Sequence, residues 1–163
     1  MKIKRFMTMM VALTAIVLGT SSCSSDDDDS KVAVATQVAG SYSGNEVIMV
    51  MGEESSNETK TYSFTKATDV SVNMMVPEMG MGGHMTIPAL PVKNIPLKKN
   101  GNTIGGELAS YTGSVTNADG AEKAFTITGL VILIDGKNIV VTYSLKYGSM
   151  PMSMETTFIG TKK

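Results

Sequence analysis

Residues 123–147, KAFTITGLVILIDGKNIVVTYSLKY, decide the fold class. Two runs of β-branched and large apolar residues flank Asp135-Gly136, a dipeptide typical of a tight β-hairpin turn. Alternation with a period of two residues predicts a strand with one buried face. The second run shows it clearly, with Val141, Tyr143, Leu145 and Tyr147 on one face and Thr142, Ser144 and Lys146 on the other.

The same pattern extends outward in both directions, and no segment after Ser30 has helical periodicity. Interior glycines such as Gly129 suggest the bulges and bends that coil a sheet tightly enough to close. We therefore predict an all-β fold, a small antiparallel up-and-down barrel of about eight strands, with a β-sandwich as the alternative. The predicted strands are Gly40–Met51, Thr59–Ala67, Val70–Val76, Thr103–Val115, Ala121–Ile134, Asn138–Tyr147 and Met152–Gly160, with turns at residues 52–57, 99–102 and 117–120.

One stretch does not fit a central strand. Pro88, Pro91 and Pro96 remove three backbone donors within nine residues. Proline is tolerated in a sheet only where no ladder hydrogen bond is lost. We therefore expect a sheet edge or an imperfect seam of the barrel here.

The first 22 residues have the layout of a secretory signal peptide. Lys2, Lys4 and Arg5 precede an apolar run of roughly a dozen residues, which ends in the small residues Thr20-Ser21-Ser22. The run is short for a membrane span. Export and removal of residues 1–22 are therefore expected.

Cys23 is the only cysteine, so an internal disulfide is impossible. It directly follows the small residues, and the segment resembles a bacterial lipobox, although Thr20 stands where that motif has leucine. The resemblance implies that Cys23 is acylated and anchors the protein to an outer membrane, since two or more acyl chains give stable anchoring.

Residues 23–37 should form an acidic tether, because adjacent carboxylates repel one another and stay solvated. Ser25, Asp26, Asp27, Asp28 and Asp29 also resemble the serine-plus-acidic export signal of surface lipoproteins in one phylum of Gram-negative bacteria. The resemblance implies exposure at the cell surface.

Composition argues against nucleic acid and against most enzyme chemistry. The formal net charge is −1, and the single arginine, Arg5, lies in the signal segment, so no basic patch is available for a phosphate backbone. His84 is the only histidine. Glu46, Glu107 and Asp69 are expected to be exposed strand residues. The sequence therefore favours a non-enzymatic protein without a cofactor.

Methionine is unusually frequent, with 14 residues. The simplest interpretation is core filling in a chain without tryptophan, because methionine packs irregular gaps. A second interpretation is a pocket for a small lipophilic ligand, partly under a loop that covers the barrel mouth. Its tentative lining residues are Met79, Met81 and Met85 in that loop, and Met150, Met152, Met154 and Tyr143 on the last strands.

A third interpretation is capture of Cu(I). Met79, Met81 and Met85 place three thioethers beside the imidazole of His84, and soft thioethers select Cu(I). Because Met-x-Met also arises wherever a strand alternates, this remains an alternative.

Residues 38–163 resemble a known family. Val38-Ala39-Gly40-Ser41-Tyr42-Ser43-Gly44 and Ile87-Pro88-Ala89-Leu90-Pro91-Val92 are similar to segments of the calycin-like, or lipocalin-like, β-barrel domains of exported bacterial lipoproteins. The resemblance implies a barrel, and ligand binding only by analogy. A small lipophilic ligand, another protein bound by a solid adhesion barrel, and Cu(I) are the three binding hypotheses.

Overall fold

The computed structural model describes residues 32–80 and 86–163, and it confirms the all-β prediction. Cys23, the acidic run, Met81, His84 and Met85 lie outside the described residues. A short helix, α1 (Val34–Val38), precedes the strands. These are β1 Gly40–Val50, β2 Glu53–Thr68, β3 Ser71–Val76, β4 Met79–Gly80, β5 Thr86–Ile87, β6 Leu90–Asn100, β7 Thr103–Thr116, β8 Glu122–Asp135, β9 Asn138–Tyr147 and β10 Met154–Lys162.

Eight of these strands form a closed barrel in the order β1-β10-β9-β8-β7-β6-β3-β2. All neighbours are antiparallel, and the first strand pairs with the last. The fold is therefore an up-and-down barrel, not the alternative sandwich. The short strands β4 and β5 pair only with each other, on the excursion between β3 and β6.

Strand register arranges the inward side chains of the barrel in rows. We call the end where β1 turns into β2 the upper end, and the rows are named from it. The upper row contains Val50, Met154, Leu145, Ile127 and Tyr111, each directly opposite the next on neighbouring strands. The middle row contains Ile48, Thr156 and Tyr143, and the lower row contains Glu46, Phe158, Val141 and Ile132.

Helix α1 packs at the opposite, lower end. The Ala35 N–H donates to the Asp69 carbonyl oxygen at 3.1 Å, and Lys162 Nζ donates to the Gln37 carbonyl oxygen at 2.7 Å. The Tyr42 hydroxyl donates to the Val38 carbonyl oxygen at 2.9 Å. The unit that contains the barrel begins at Val32. The helix thus belongs to this unit, although it lies largely within the range 23–37 expected to be tether.

The proline-rich stretch is a strand of the barrel, so the prediction that it could not lie between two other strands was wrong. Its two halves have different partners, however. Leu90–Pro96 pairs with β3, and only Leu97–Asn100 pairs with β7. Because the first half has a neighbour on one side only, it can hold prolines without losing ladder bonds on the other side. The expected imperfect seam therefore lies between β6 and β7.

Most predicted strand boundaries are shifted by only one or two residues, but two of the differences change the interpretation of the sequence. Residues 52–57 were expected to turn, yet β2 begins at Glu53 and continues β1 as a long hairpin. The last strand begins at Met154, so Met150 and Met152 lie in the preceding loop. The expectation that Met150 and Met152 lie on the last strand with Met154, where their spacing of two would put all three on one face, is therefore wrong.

Closure of the barrel depends on a pair of glycines. Gly44 on β1 lies directly opposite Gly160 on β10. A Cβ atom on Gly44 would overlap the backbone of Ile159 and Gly160, and one on Gly160 would lie 2.5 Å from Phe158 Cζ. The Phe158 ring stacks on Tyr62 with centroids 4.2 Å apart. The absence of two side chains thus allows the first and last strands to approach closely beside this aromatic pair.

We predict that Gly44→Ala destabilises the fold by about 1–3 kcal/mol or more, because the new methyl group meets backbone, which cannot rotate away. Chemical denaturation measures the effect. Gly105→Ala is the matched control, since the nearest atom to its Cβ, Ile132 O, lies at an ordinary 3.9 Å. The control should change stability by no more than about 1 kcal/mol. Equal effects of the two changes would contradict the close approach of β1 and β10.

Candidate functional site

A group of polar side chains lies inside the barrel. Glu46, on the inward face of β1, is only 1% exposed. The Tyr62 hydroxyl donates to Glu46 Oε2 at 2.5 Å, and the hydroxyls of Tyr62 and Tyr143 are 2.8 Å apart. Thr156 on β10 lies directly opposite Tyr143 on β9, and it is 2% exposed. Four polar side chains from four strands, which we call the interior polar cluster, are thus enclosed by apolar walls.

The cluster is incompletely paired. Glu46 Oε1 and the Tyr147 hydroxyl are buried and have no hydrogen-bond partner among the described residues. Thr156 Oγ1 makes no hydrogen bond of good geometry there, although it is close enough to Tyr143 to lower the pKa of that hydroxyl. An unpaired buried polar atom costs about 1–3 kcal/mol, because it has lost water without gaining a partner. The interior of the barrel therefore presents free hydrogen-bonding capacity.

Burial controls the protonation of the Glu46 carboxyl group. Removal from water raises its pKa above the ordinary value of 4.5, and the negative charge of Glu58 acts in the same direction. The hydrogen bond from Tyr62 and the positive charge of Lys60 oppose this increase. Lys60 itself binds Glu58 Oε2 at 2.8 Å and the Glu78 carbonyl oxygen at 2.9 Å.

The two tyrosines of the cluster resist ionisation. Burial is the largest cause of the raised pKa of both Tyr62 and Tyr143, and the negative charge of Glu46 raises both further. Both hydroxyls therefore keep their protons at neutral pH. They can donate and accept hydrogen bonds, and they are poor candidates for nucleophiles or bases.

Above the cluster, several apolar side chains at the upper end of the barrel are only partly buried. Val50 and Tyr111 at the two ends of the upper row are only partly buried. Val115 of β7 and Met150 of the β9–β10 loop also pack against the core while remaining partly exposed. We call these four residues the apolar mouth. They provide apolar surface that a ligand could cover.

The structure places the predicted ligand-lining residues in different environments. Met154 and Tyr143 face the interior in the upper and middle rows and are buried. Met150 borders the mouth, whereas Met152 is 40% exposed in the loop. Met79 is fully buried opposite Ile87 in the β4–β5 pair, so it is a core residue.

Glu46 and Thr156 were not predicted as site residues. Glu46 was expected to be exposed, as glutamate usually is on a strand. The available signal was its position, because Tyr42, Gly44, Glu46, Ile48 and Val50 follow the period of two that defines one face of β1. Thr156 had the same signal between Met154 and Phe158.

Other surfaces of the described residues are weaker candidates for a binding site. A depression of about 250 Å³ lies at the β8 bulge, where outward hydroxyls such as Thr128, Thr142 and Thr157 surround Gly129. Within residues 32–80 and 86–163, no group of three or more His, Cys, Asp or Glu side chains is placed to hold a metal ion. In the same ranges, no helix combines the length and apolar character needed to cross a membrane.

We predict that the interior carboxyl makes stability depend on pH. Because folding raises the pKa of Glu46, the native state holds the proton more tightly than the unfolded chain, and this contribution is lost as pH rises from below 4.5 through the folded-state pKa. The free energy of unfolding of Glu46→Gln, relative to the unchanged protein, should therefore increase between about pH 4 and about pH 8. Urea denaturation at both pH values measures this difference.

Glu155→Gln is the control for that measurement. Glu155 is an exposed carboxylate on the outer face of β10, so its removal does not touch the interior. If the two variants show the same dependence on pH, the buried carboxyl is not its source.

Comparison with known proteins agrees with this architecture. No curated protein matches the chain. The fold is similar to the crystal structure of a candidate outer membrane protein from Bacteroides fragilis NCTC 9343, with a TM-score of 0.62 and 18% sequence identity. The alignment covers 80% of this chain and 53% of that protein, so this chain spans about half its length. The family model of the calycin-like β-barrel domain matches residues 38–161, and the chain therefore belongs to the calycin-like β-barrel domain family.

Proposed function

We propose that this protein is a lipoprotein of the outer membrane, exposed at the cell surface, whose barrel binds a small lipophilic ligand. The sequence supports export and anchoring through the apolar segment before Cys23 and the acidic run after it. The structural similarity to a candidate outer membrane protein is compatible with this location. In this arrangement, acylated Cys23 holds the barrel at the membrane, and Asp26–Asp29 direct it to the outer face.

The apolar mouth is the observation that carries the ligand proposal. Val50, Tyr111, Val115 and Met150 leave apolar surface partly exposed at the upper end, while α1 packs at the lower end. Partly exposed apolar surface at one end of a barrel suits a small molecule that is mostly hydrocarbon.

The interior polar cluster supports binding over catalysis. Tyr62 and Tyr143 have raised pKa values and keep their protons, and Glu46 Oε1 is buried without a partner. A nucleophile needs a neighbouring base that takes its proton, and within the described residues this cluster provides no such pair. We therefore propose a non-enzymatic role that needs no cofactor.

Two alternatives have their own support. Aromatic packing fills the lower part of the barrel, where Tyr42 meets Phe64 edge to face at 5.4 Å and Tyr62 stacks on Phe158. A filled barrel favours an adhesion module that binds another protein with its outer surface.

Cu(I) capture depends on Met79, Met81, His84 and Met85. Because Met79 is fully buried, the other three would have to supply most of the ligands.

We predict that Cys23→Ala abolishes lipid attachment, so the protein is released or remains unprocessed. Replacing Asp26–Asp29 with alanine should leave the lipid in place but protect the protein from protease added outside the cell. Metabolic labelling with a fatty acid and protease shaving of intact cells measure the two effects. Unchanged protease access in the second variant would leave the acidic run as a tether only.

We predict that Met150→Ser weakens binding of a pyrene-labelled fatty alcohol about three- to tenfold. Full burial of a methionine side chain is worth about 1.5–3 kcal/mol, and a ligand at the mouth would cover part of Met150. Fluorescence titration measures the affinity. Met152→Ser is the matched control, because Met152 lies two residues away in the same loop but is 40% exposed.

Binding measurements on the unchanged protein distinguish the three binding hypotheses. Saturable binding of the alcohol, weakened only by Met150→Ser, supports the apolar mouth. Uptake of Cu(I) without binding of the alcohol would favour metal capture, and the absence of both would leave the adhesion module.

A further inference from the structure

We propose that the barrel recognises the head group of its ligand through Glu46 and Thr156, and that this head is a hydrogen-bond donor, an amine or an alcohol, and not a carboxylate. The inference rests on the proposed binding of a lipophilic ligand and adds the chemistry of its polar end.

The first argument is the position of the unpaired atoms relative to the mouth. Thr156 is two residues from Met154 of the upper row along β10, and Glu46 is four residues from Val50 along β1. At about 3.3 Å per residue, the backbone of Thr156 lies about 7 Å from the upper row and that of Glu46 about 13 Å from it, each measured along its own strand. A molecule whose chain covers the apolar mouth can therefore direct its head first towards Thr156 and then towards Glu46.

The second argument is the hydrogen-bonding character of these atoms. Glu46 Oε2 already accepts a bond from Tyr62, while Oε1 is buried and unpartnered. When ionised, a carboxylate only accepts hydrogen bonds, whereas the hydroxyl of Thr156 both donates and accepts. A head that donates to Oε1 and exchanges a bond with Thr156 Oγ1 would satisfy both atoms.

The third argument is charge. Glu46 is buried in the interior, whereas Glu58 and Lys60 lie beside it on β2 with 51% and 19% of their side chains exposed. Lys60 is engaged by Glu58 and by the Glu78 carbonyl oxygen, and Glu46 forms no ion pair within the described residues. An anionic head would be repelled by the ionised form of Glu46, whereas an ammonium head would form a charge-assisted bond with it.

Tight packing of the middle row limits the size of the head group. Ile48, Thr156 and Tyr143 form the middle row between the mouth and Glu46, and all three are at most 2% exposed. A ligand head reaches Glu46 only if these side chains shift, so contact with Glu46 should perturb the Tyr143 ring. The chain has five tyrosines, all in the barrel, and no tryptophan, so its emission comes from tyrosine and responds to changes around Tyr143 together with the other rings.

The experiment compares three ligands with the same chain and different heads: dodecylamine, dodecanol and dodecanoate. Each is titrated into the full chain carrying Cys23→Ala, which has no acyl chain of its own to compete for the mouth. Displacement of the pyrene-labelled alcohol and tyrosine emission are the two readouts. The variants are Glu46→Gln and Thr156→Val, with Thr157→Val on the outer face of β10 as the matched control.

The expected result is that the amine and the alcohol bind at least about tenfold more tightly than dodecanoate, since one charge-assisted hydrogen bond is worth about that factor. Glu46→Gln should remove most of the advantage of the amine. Thr156→Val should weaken both donors, and Thr157→Val should change neither.

Three outcomes would overturn the inference while leaving the proposed ligand binding intact. These are equal affinities for the three ligands, the tightest binding for dodecanoate, or a preference for donors that survives both interior substitutions. If Glu46→Gln does not fold, the ranking in the parent chain and the Thr156→Val variant still decide. Failure of the pyrene-labelled alcohol and all three ligands to bind would overturn the proposed function itself.

Discussion

The close pairing of β1 with β10 is the contact on which the barrel depends. Closing a sheet requires strands that tilt and coil, and side chains at a tight crossing prevent this. Gly44 and Gly160 face each other at that crossing, and the stacked rings of Tyr62 and Phe158 lie beside them. Closure brings β10 beside β1, so that Phe158 lies opposite Glu46 and Thr156 lies opposite Ile48, two residues further along the strand. The geometry of closure and the geometry of the interior polar cluster are therefore set by the same pair of strands.

The regular part of this fold follows directly from sequence pattern. The β8–β9 hairpin combines an Asp-Gly turn with strict alternation, and β9 has the predicted bounds, Asn138–Tyr147. The first half of β2 was missed because its glutamate, serine and asparagine residues have low strand propensity. Cross-strand pairing of Glu53–Asn57 with Val47–Val50 overrides that local preference. The strand containing Pro91 and Pro96 was misjudged because the sequence does not reveal that each half of β6 has its own partner.

The residues of the candidate site were likewise predicted only in part. The alternation in β1 placed Glu46 on the same face as Tyr42 and Ile48, but residue type alone favoured solvent. Only closure of the barrel shows that this face has no solvent side. The methionines gave the opposite error, since spacing of two placed Met152 and Met154 on one strand face. The strand begins at Met154, so Met152 projects from the loop. Period-two patterns thus predict faces well inside a strand and fail where the strand ends.

A buried carboxyl group without a full set of partners destabilises a small barrel, and an apolar residue of similar size at that position would often be neutral or better. Glu46 bears this cost in the lower row beside the apolar side chains of Phe158, Val141 and Ile132. Tyr62 satisfies only one of its two oxygens, and Lys60, the ammonium group whose charge acts on it, is bound elsewhere. Packing alone does not account for a glutamate at this position. A donor supplied from the apolar mouth would offset the cost, and this links the buried glutamate to the partly exposed apolar residues at the upper end.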